Sequence, residues 1–335
     1  MKWILGLIGL VVIAVAVGYF ALRRPDISYQ ALAARYESPA SRYMDLPGEI
    51  HMHYRDEGAA QPEGAPIPTI LLIHGYSASL HTWAPWVERL KQNDYRIISL
   101  DLPGHGLTSA PAGYRASIPA YVEAVRAFTQ AMHLTRFAVA GNSMGGNVAW
   151  EYALAHPEQI DALILVDSAG WPHPEDNAAE DAPMMRLLEN PAIGPVLRNL
   201  DNTRLFRQGL RASFANADLA DEAMITRYVE LSRAPGHRNI LLQLRTGYSG
   251  RRVASNETLA AIATPTLILW GAQDHLIPVA DAEKFHNAIA GSEVIVYDGA
   301  GHILQEEKAD DTAMAVHEFL YRVHEQGMEA MPAAE

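Results

Sequence analysis

The pentapeptide Gly141-Asn142-Ser143-Met144-Gly145 lies between an apolar run, Phe137 to Ala140, and a helix-like stretch, Gly146 to Ala155. A chain that leaves a buried strand and enters a helix within so few residues must turn sharply. The residue at the apex then takes a backbone conformation that L-residues avoid, at a cost of roughly 1–3 kcal/mol. Only small residues two positions either side tolerate the crowding, and Gly141 and Gly145 meet that need. Ser143 is thereby presented as a nucleophile, and the helix N-terminus behind it offers the Met144 N–H to an anion in front.

A nucleophilic serine needs a base, and the base needs an orienting acid. Thr266 to Trp270 reads as a buried strand ending in Gly271-Ala272-Gln273-Asp274, which puts Asp274 in a loop at a strand's C-terminal end. The next strand, Glu293 to Tyr297, runs into Asp298-Gly299-Ala300-Gly301-His302, where two glycines let the loop swing His302 toward the serine. Ser143, Asp274 and His302 therefore form the candidate triad, in an order known for one class of strand–turn–helix serine enzymes. Asp167, at the end of the strand Ala162 to Val166, is the competing acid. His51 and His53 fall on one strand face as a metal pair would, yet no third ligand accompanies them. The chemistry calls for no metal or organic cofactor.

Strands near 69–74, 95–101, 136–141, 161–167, 266–270 and 293–297 alternate with helical segments near 80–91, 117–132, 145–155, 279–289 and 306–323, after an early strand at Ile50 to Tyr54. Such alternation predicts an α/β fold, a mostly parallel sheet covered by helices on both faces. Its functional loops belong at the strand C-terminal ends, where every candidate lies. Between Gly170 and Thr264 the alternation stops, and apolar residues including Met184, Met185, Leu205 and Phe214 recur at spacings that suit short amphipathic helices.

With His74-Gly75-Tyr76 and Asp101-Leu102-Pro103-Gly104-His105-Gly106 added, these motifs resemble the α/β-hydrolase superfamily over about residues 43 to 324, and within it the bacterial lipase and esterase branch. The resemblance implies a hydrolase core at 45–170 and 264–324, with an inserted helical cap at 171–263. It implies an oxyanion hole made by the backbone N–H groups of Tyr76 and Met144, and cap residues Trp171, Met184 and Met185 against substrate. The expected reaction is ester hydrolysis through an acyl-enzyme, on a small-molecule ester or lipid. Dehalogenases and epoxide hydrolases of this scaffold carry aspartate at the position of Ser143, which argues against both. A carbon–carbon bond hydrolase remains the main alternative, because that branch also favours Gly-Asn-Ser-Met-Gly-Gly. A cofactor-free haloperoxidase or perhydrolase and a non-catalytic binding protein stand behind it.

Trp3 to Leu22 is twenty residues without a charge, long enough to cross a hydrocarbon core of about 30 Å. The expectation is a single-pass anchor at 1–24 in a bacterial inner membrane, with the catalytic domain on the periplasmic side, a linker at 25–44 and a tail at 325–335. A cleaved signal peptide and a cytoplasmic-facing domain are the competing readings. The chain carries 39 acidic against 26 basic residues, so it offers no electrostatic footing for nucleic acid. It has no cysteine, which excludes disulfides and a thiol nucleophile.

Overall fold

The computed structural model describes residues 2–58, 68–173, 183–246 and 252–329. Most of the turn expected at Gly58 to Pro68, parts of the expected cap and the last six residues of the tail lie outside that set. Helices α1 (Lys2–Leu22) and α2 (Tyr29–Tyr36) precede the strands β1 (Ser41–Leu46), β2 (Ile50–Gly58) and β3 (Thr69–Ile73). Helix α3 (Ala84–Leu90), β4 (Arg96–Leu100), α4 (Ile118–Ala131), β5 (Phe137–Asn142), α5 (Met144–Ala155) and β6 (Ile160–Val166) follow. Among the described residues the alternation then gives way to five helices: α6 (Pro183–Glu189), α7 (Gly194–Arg198), α8 (Thr203–Ser213), α9 (Glu222–Leu231) and α10 (His237–Thr246). It resumes with α11 (Asn256–Leu259), β7 (Thr266–Gly271), α12 (Ala280–Ala288), β8 (Glu293–Tyr297), α13 (Leu304–Glu307) and α14 (Ala309–Glu329).

The eight strands form one sheet in the order β1-β2-β4-β3-β5-β6-β7-β8. β1 and β2 pair antiparallel, β2 joins β4 antiparallel, and every other pairing is parallel. The central strands β3 and β5 are buried along their whole length, because helices cover both faces of a parallel sheet. Successive residues divide between those faces with the period of two that a strand imposes. Leu71 and Ile73 pack with α4, α5 and α12, while Ile70 and Leu72 pack with Trp83, Trp86 and the α14 residues Val316 and Phe319.

The strand order reverses direction between β3 and β5. From β3 the chain crosses to β4 on one side, and from β5 it crosses to β6 on the other. The loops leaving the two strands therefore diverge and open a crevice above them, which is where ligands bind in open parallel sheets. The loop after β3 carries His74-Gly75-Tyr76, and the turn after β5 carries Ser143. Topology alone thus brings the two expected oxyanion donors onto neighbouring loops.

The β5–α5 turn is sterically exacting. A Cβ on Gly141 would stand 2.1 Å from the Gly145 carbonyl oxygen, and one on Gly145 would stand 2.1 Å from the Ile73 carbonyl oxygen. Both contacts are with backbone, which cannot step aside.

The segment expected to be a linker is packed. In α2, capped by the Ser28 hydroxyl, Leu32 is fully buried with Leu107, Leu231 and Ala234, so the helix braces α9 against the core. Tyr36 and Arg35 both reach the Glu230 carboxylate. Strand β1, absent from the sequence reading, begins within the same segment at Ser41.

The expected membrane anchor is corrected. The apolar N-terminal run is helical as α1, but among the described residues no helix is long and apolar enough to cross a membrane. Spanning takes about twenty consecutive apolar residues. The periplasmic placement rested on that anchor and goes with it. The described residues do fix the end of α1 to the helical insert: Asp201 N–H donates to the Leu22 carbonyl at 2.8 Å and Arg24 N–H to the Asn199 carbonyl at 2.7 Å. Arg24 also pairs with Asp201 at 2.7 Å.

Gly145→Ala is expected to destabilise the fold by about 1–3 kcal/mol, because the added methyl forces β3 and α5 apart. Urea denaturation of the folded variant would measure this, and an unchanged midpoint would contradict it.

Candidate active site

Ser143 occupies the apex of the turn with φ 55° and ψ −121°, the strained backbone its flanking glycines predict. Three backbone hydrogen bonds hold it there. Ser143 N–H donates to the Val166 carbonyl at 3.0 Å, and its own carbonyl accepts from Asn147 and Ala169 N–H at 3.2 and 3.0 Å. As the residue before α5, it leaves Met144 N–H at the positive end of that helix.

His302 and Asp274 come together from two different loops. His302 Nδ1 and Asp274 Oδ2 are 2.7 Å apart, and both residues are almost fully buried. The other carboxylate oxygen, Oδ1, accepts from Leu276 N–H at 2.7 Å and Ile277 N–H at 3.0 Å, so each oxygen of Asp274 has a fixed donor. The two loops are also tied directly, by Gln273 N–H to the Ala300 carbonyl at 2.9 Å and by Ala300 N–H to Gln273 Oε1 at 3.1 Å. Asn142, the residue before the serine, spans the site: its Nδ2 donates to the His302 carbonyl at 3.0 Å and to the Val166 carbonyl at 3.2 Å. No hydrogen bond joins the Ser143 hydroxyl to His302 among the described residues. Such nucleophile–base contacts are commonly long before substrate binds.

The candidate oxyanion loop is held by His74. Leu102 N–H donates to His74 Nε2 at 3.0 Å, so Nε2 is the acceptor nitrogen and Nδ1 carries the proton that it donates to the Gly75 carbonyl at 2.7 Å. Burial pushes His74 below the ordinary imidazole range, consistent with this neutral tautomer. The Gly75 carbonyl and the Tyr76 N–H belong to one planar peptide unit, so fixing the first fixes the second. A Cβ on Gly75 would lie 3.1 Å from the Ser143 Cβ, tight enough that glycine is what lets this loop approach the serine. The Tyr76 ring is 43% exposed and its hydroxyl donates to the Leu241 carbonyl of α10 at 3.1 Å.

The competing acid, Asp167, is also buried in this region, in the left-handed region at φ 45°. Its Oδ1 accepts from Gly271 N–H at 2.8 Å, whereas among the described residues Oδ2 makes no hydrogen bond of normal geometry and is influenced by the nearby Leu304 backbone. Burial first, and then the neighbouring Asp274 carboxylate, push the Asp167 carboxyl well above the usual carboxylate range, against the pull of its backbone hydrogen bonds. The two carboxyls therefore differ in kind. Asp274 has the imidazole and two amides, while Asp167 favours its neutral form.

A second Ser–His–Asp line lies elsewhere. His53 Nδ1 is 2.7 Å from Asp101 Oδ2 and its Nε2 is 2.9 Å from the Ser41 hydroxyl. His53 and Asp101 are fully buried, Ser41 lies on the edge strand, and its hydroxyl also accepts from Ser38 N–H. Asp101 further accepts from Leu80 and Leu107 N–H at 2.7 and 2.9 Å. Burial, the largest single influence, raises its pKa, but the His53 hydrogen bond and the electrostatic pull of His53, His74 and His81 together outweigh it and hold the carboxyl below its usual range. This line ties strands and loops together rather than facing a crevice. His51 pairs with Asp45 at 2.6 Å, and among the described residues no group of three potential ligands could hold a metal ion.

Of the three expected substrate residues, Trp171 follows β6 and the two methionines lie together on α6. Trp171 packs edge-on against Phe285 on the core side, with the Lys284 ammonium over its ring. Met184 and Met185 sit on α6, where Met184 is 56% exposed and Met185 half-buried.

The family description alpha/beta hydrolase fold matches residues 68–309, and the chain belongs to that family. Among curated proteins it is similar to monoacylglycerol lipase ABHD6 of Rattus norvegicus, 28% identical over 262 residues that cover 77% of this chain and 76% of the relative. Among solved structures it is similar to a membrane phospholipase A described as a novel bacterial virulence factor. That likeness has 27% identity and a TM-score of 0.70, covering 97% of this chain and 99% of the other. A meta-cleavage product hydrolase superposes with a TM-score of 0.71 over 84% of this chain and 98% of its own, at 22% identity, which reflects the shared fold alone. The chain is a hydrolase of this fold.

Asp167→Asn separates the two carboxyls. Asp167 has a folded-state pKa raised above the ordinary 3.8, so the stability it contributes is complete below that value and is lost as pH rises toward its folded pKa. Asparagine cannot ionise. The difference in melting temperature between Asp167→Asn and the parent is expected to move in the variant's favour as pH rises above about 4. A gap that stays flat or moves the other way would mean that Asp167 is an ordinary ionised carboxylate.

Proposed function

We propose that this chain is a serine hydrolase of the lipase or carboxylesterase type, which cleaves carboxylic esters through an acyl-enzyme on Ser143. The observation that carries the reading is the 2.7 Å His302 Nδ1–Asp274 Oδ2 hydrogen bond, linked through Asn142 to the strained turn of Ser143. In this reading His302 Nε2 takes the hydroxyl proton as Ser143 Oγ bonds to the substrate carbonyl carbon. The carbonyl oxygen becomes an oxyanion held by the Tyr76 and Met144 N–H groups, each worth about 2.7–4 kcal/mol of barrier. The tetrahedral centre collapses, the ester C–O bond breaks, and His302 returns the proton to the leaving alcohol. Water then repeats the sequence and releases the acid. Asp274 holds the imidazole in the tautomer with Nδ1 protonated.

Carboxylic esters of medium or long acyl chain are the favoured substrates. The names of the monoacylglycerol lipase and membrane phospholipase A relatives support that class. Carbon–carbon cleavage would need, besides the triad, polar groups that bind a dienoate carboxylate, and the loops around Ser143 carry no evident set. The elbow sequence is the point in that rival's favour.

Ser143→Ala and His302→Ala are expected to lower p-nitrophenyl ester turnover by at least about 10⁴-fold with circular dichroism unchanged, and Asp274→Asn by a similar factor because asparagine stabilises the wrong tautomer. Turnover across the ester series should peak at intermediate or longer chains, with none on a meta-ring-cleavage dienoate. Retained turnover in Ser143→Ala, or consumption of the dienoate by an enzyme inert to every ester, would overturn the reading.

A further inference from the structure

His302 is not held by the core sheet alone. Its backbone N–H donates at 2.7 Å to the carbonyl of Ser213, the last residue of α8, and Ile303 N–H reaches the same oxygen at 3.3 Å. Ile303 itself is a member of the helical insert's own apolar cluster, buried with Leu210, Phe214, Ile225 and Tyr228. The insert therefore seats on the residues at and beside the candidate base.

One carboxylate closes this junction. Glu307 Oε2 accepts from Gly301 N–H at 2.6 Å and from Ala215 N–H at 3.1 Å, while Oε1 accepts from Asn216 N–H at 2.8 Å. Two of those amides belong to the turn that leaves α8, and the third belongs to the residue immediately before His302. The approach is close: a Cβ on Gly301 would lie 2.6 Å from the Ser213 carbonyl oxygen and 2.8 Å from Ala215 N. A carboxylate only accepts hydrogen bonds, so it suits a place where three donors converge. A glutamine of the same length could not satisfy all three without turning its NH2 toward one of them.

We propose that Glu307 is a positioning residue that couples the seating of the helical cap to the placement of His302, resting on the assignment of His302 as general base. Each handle on the histidine then has a separate source. Its N–H is held by the cap, its carbonyl by Asn142 of the serine turn, and its Nδ1 by Asp274, with the Glu307 clasp keeping the first of these in register with the others. A displaced cap pulls on the backbone of the base, so proton transfer depends on cap position even for a substrate too small to touch the cap.

The test uses Glu307→Gln, nearly isosteric, in which the side-chain NH2 must face one of the three amides. On p-nitrophenyl acetate its kcat per active site, counted by fluorophosphonate titration so that only folded enzyme contributes, is expected to fall about 10-fold or more with KM changed less than about threefold. Amide hydrogen exchange should accelerate together at residues 215–216 and 301–303 while β3 and β5 stay protected. Unchanged kcat per titrated site would overturn the proposal, as would exchange that rises on the cap side alone. A fall confined to the number of titratable sites would mark Glu307 as structural only and would also overturn it. Ser143→Ala run in parallel keeps the two readings apart. If it still labels, the serine assignment has failed, and the exchange arm alone then decides whether Glu307 couples the two segments.

Discussion

The conformation of one residue sets the terms for the rest of the molecule. Ser143 is held at φ 55° because a buried strand on one side and a buried helix on the other leave no room for a gentler path. Gly141 and Gly145 pack directly onto backbone oxygens, and the Val166 carbonyl and the Asn147 and Ala169 amides lock the turn from outside. The strain, on the order of 1–3 kcal/mol, persists because the two packed layers over-determine it. From that turn follow the direction of the hydroxyl, the position of the α5 N-terminus and the space available to the loop after β3.

Around this fixed point the site is organised by unequal treatment of like groups. Asp274 and Asp167 are both buried aspartates at strand ends, and the Asp274 carboxylate, after burial, helps to push the Asp167 carboxyl above its usual range. Asp274 meets the imidazole and two backbone amides. Asp167 keeps an oxygen without a hydrogen bond of normal geometry among the described residues and is driven toward its neutral form. Charge repulsion between neighbouring carboxyls makes that asymmetry stable, since ionising both in a low-dielectric pocket is costly. The same contrast separates the two Ser–His–Asp lines, because the Ser41–His53–Asp101 line satisfies its acid with two loop amides in the packed interior and leaves no strained serine.

Among the described residues the helical insert meets the rest of the chain at many places, and three of them are chemically telling. One is the α2 brace through Leu32 and Glu230, another the Arg24–Asp201 contact at the end of α1, and a third the Glu307 clasp beside His302. Residues 25–44 thus act as structure rather than as spacer. The exposed apolar side chains of Met184, Leu187 and Leu205 lie on the insert itself, away from these joints.

The order of Ser143, Asp274 and His302 along the chain, the parallel central strands, the glycines of the turn and the interruption after Gly170 were all readable in the sequence. Each depends on local rules: buried strands read as apolar runs, a sharp strand-to-helix turn demands small residues, and amphipathic helices repeat at their own period. The edge strand β1 was not readable, because Ser41 to Leu46 is half-exposed, pairs with β2 alone and carries no sustained apolar pattern. Nor could local pattern give His53 its partner, or single out Asn142 and Glu307 among the chain's polar residues. Those roles arise from hydrogen bonds between residues far apart in the chain, 48 for His53 and Asp101 and 160 for Asn142 and His302. Hydrophobic periodicity and turn sterics are written residue by residue, whereas which buried donor meets which acceptor is decided only when the loops of separate strands are folded against one another.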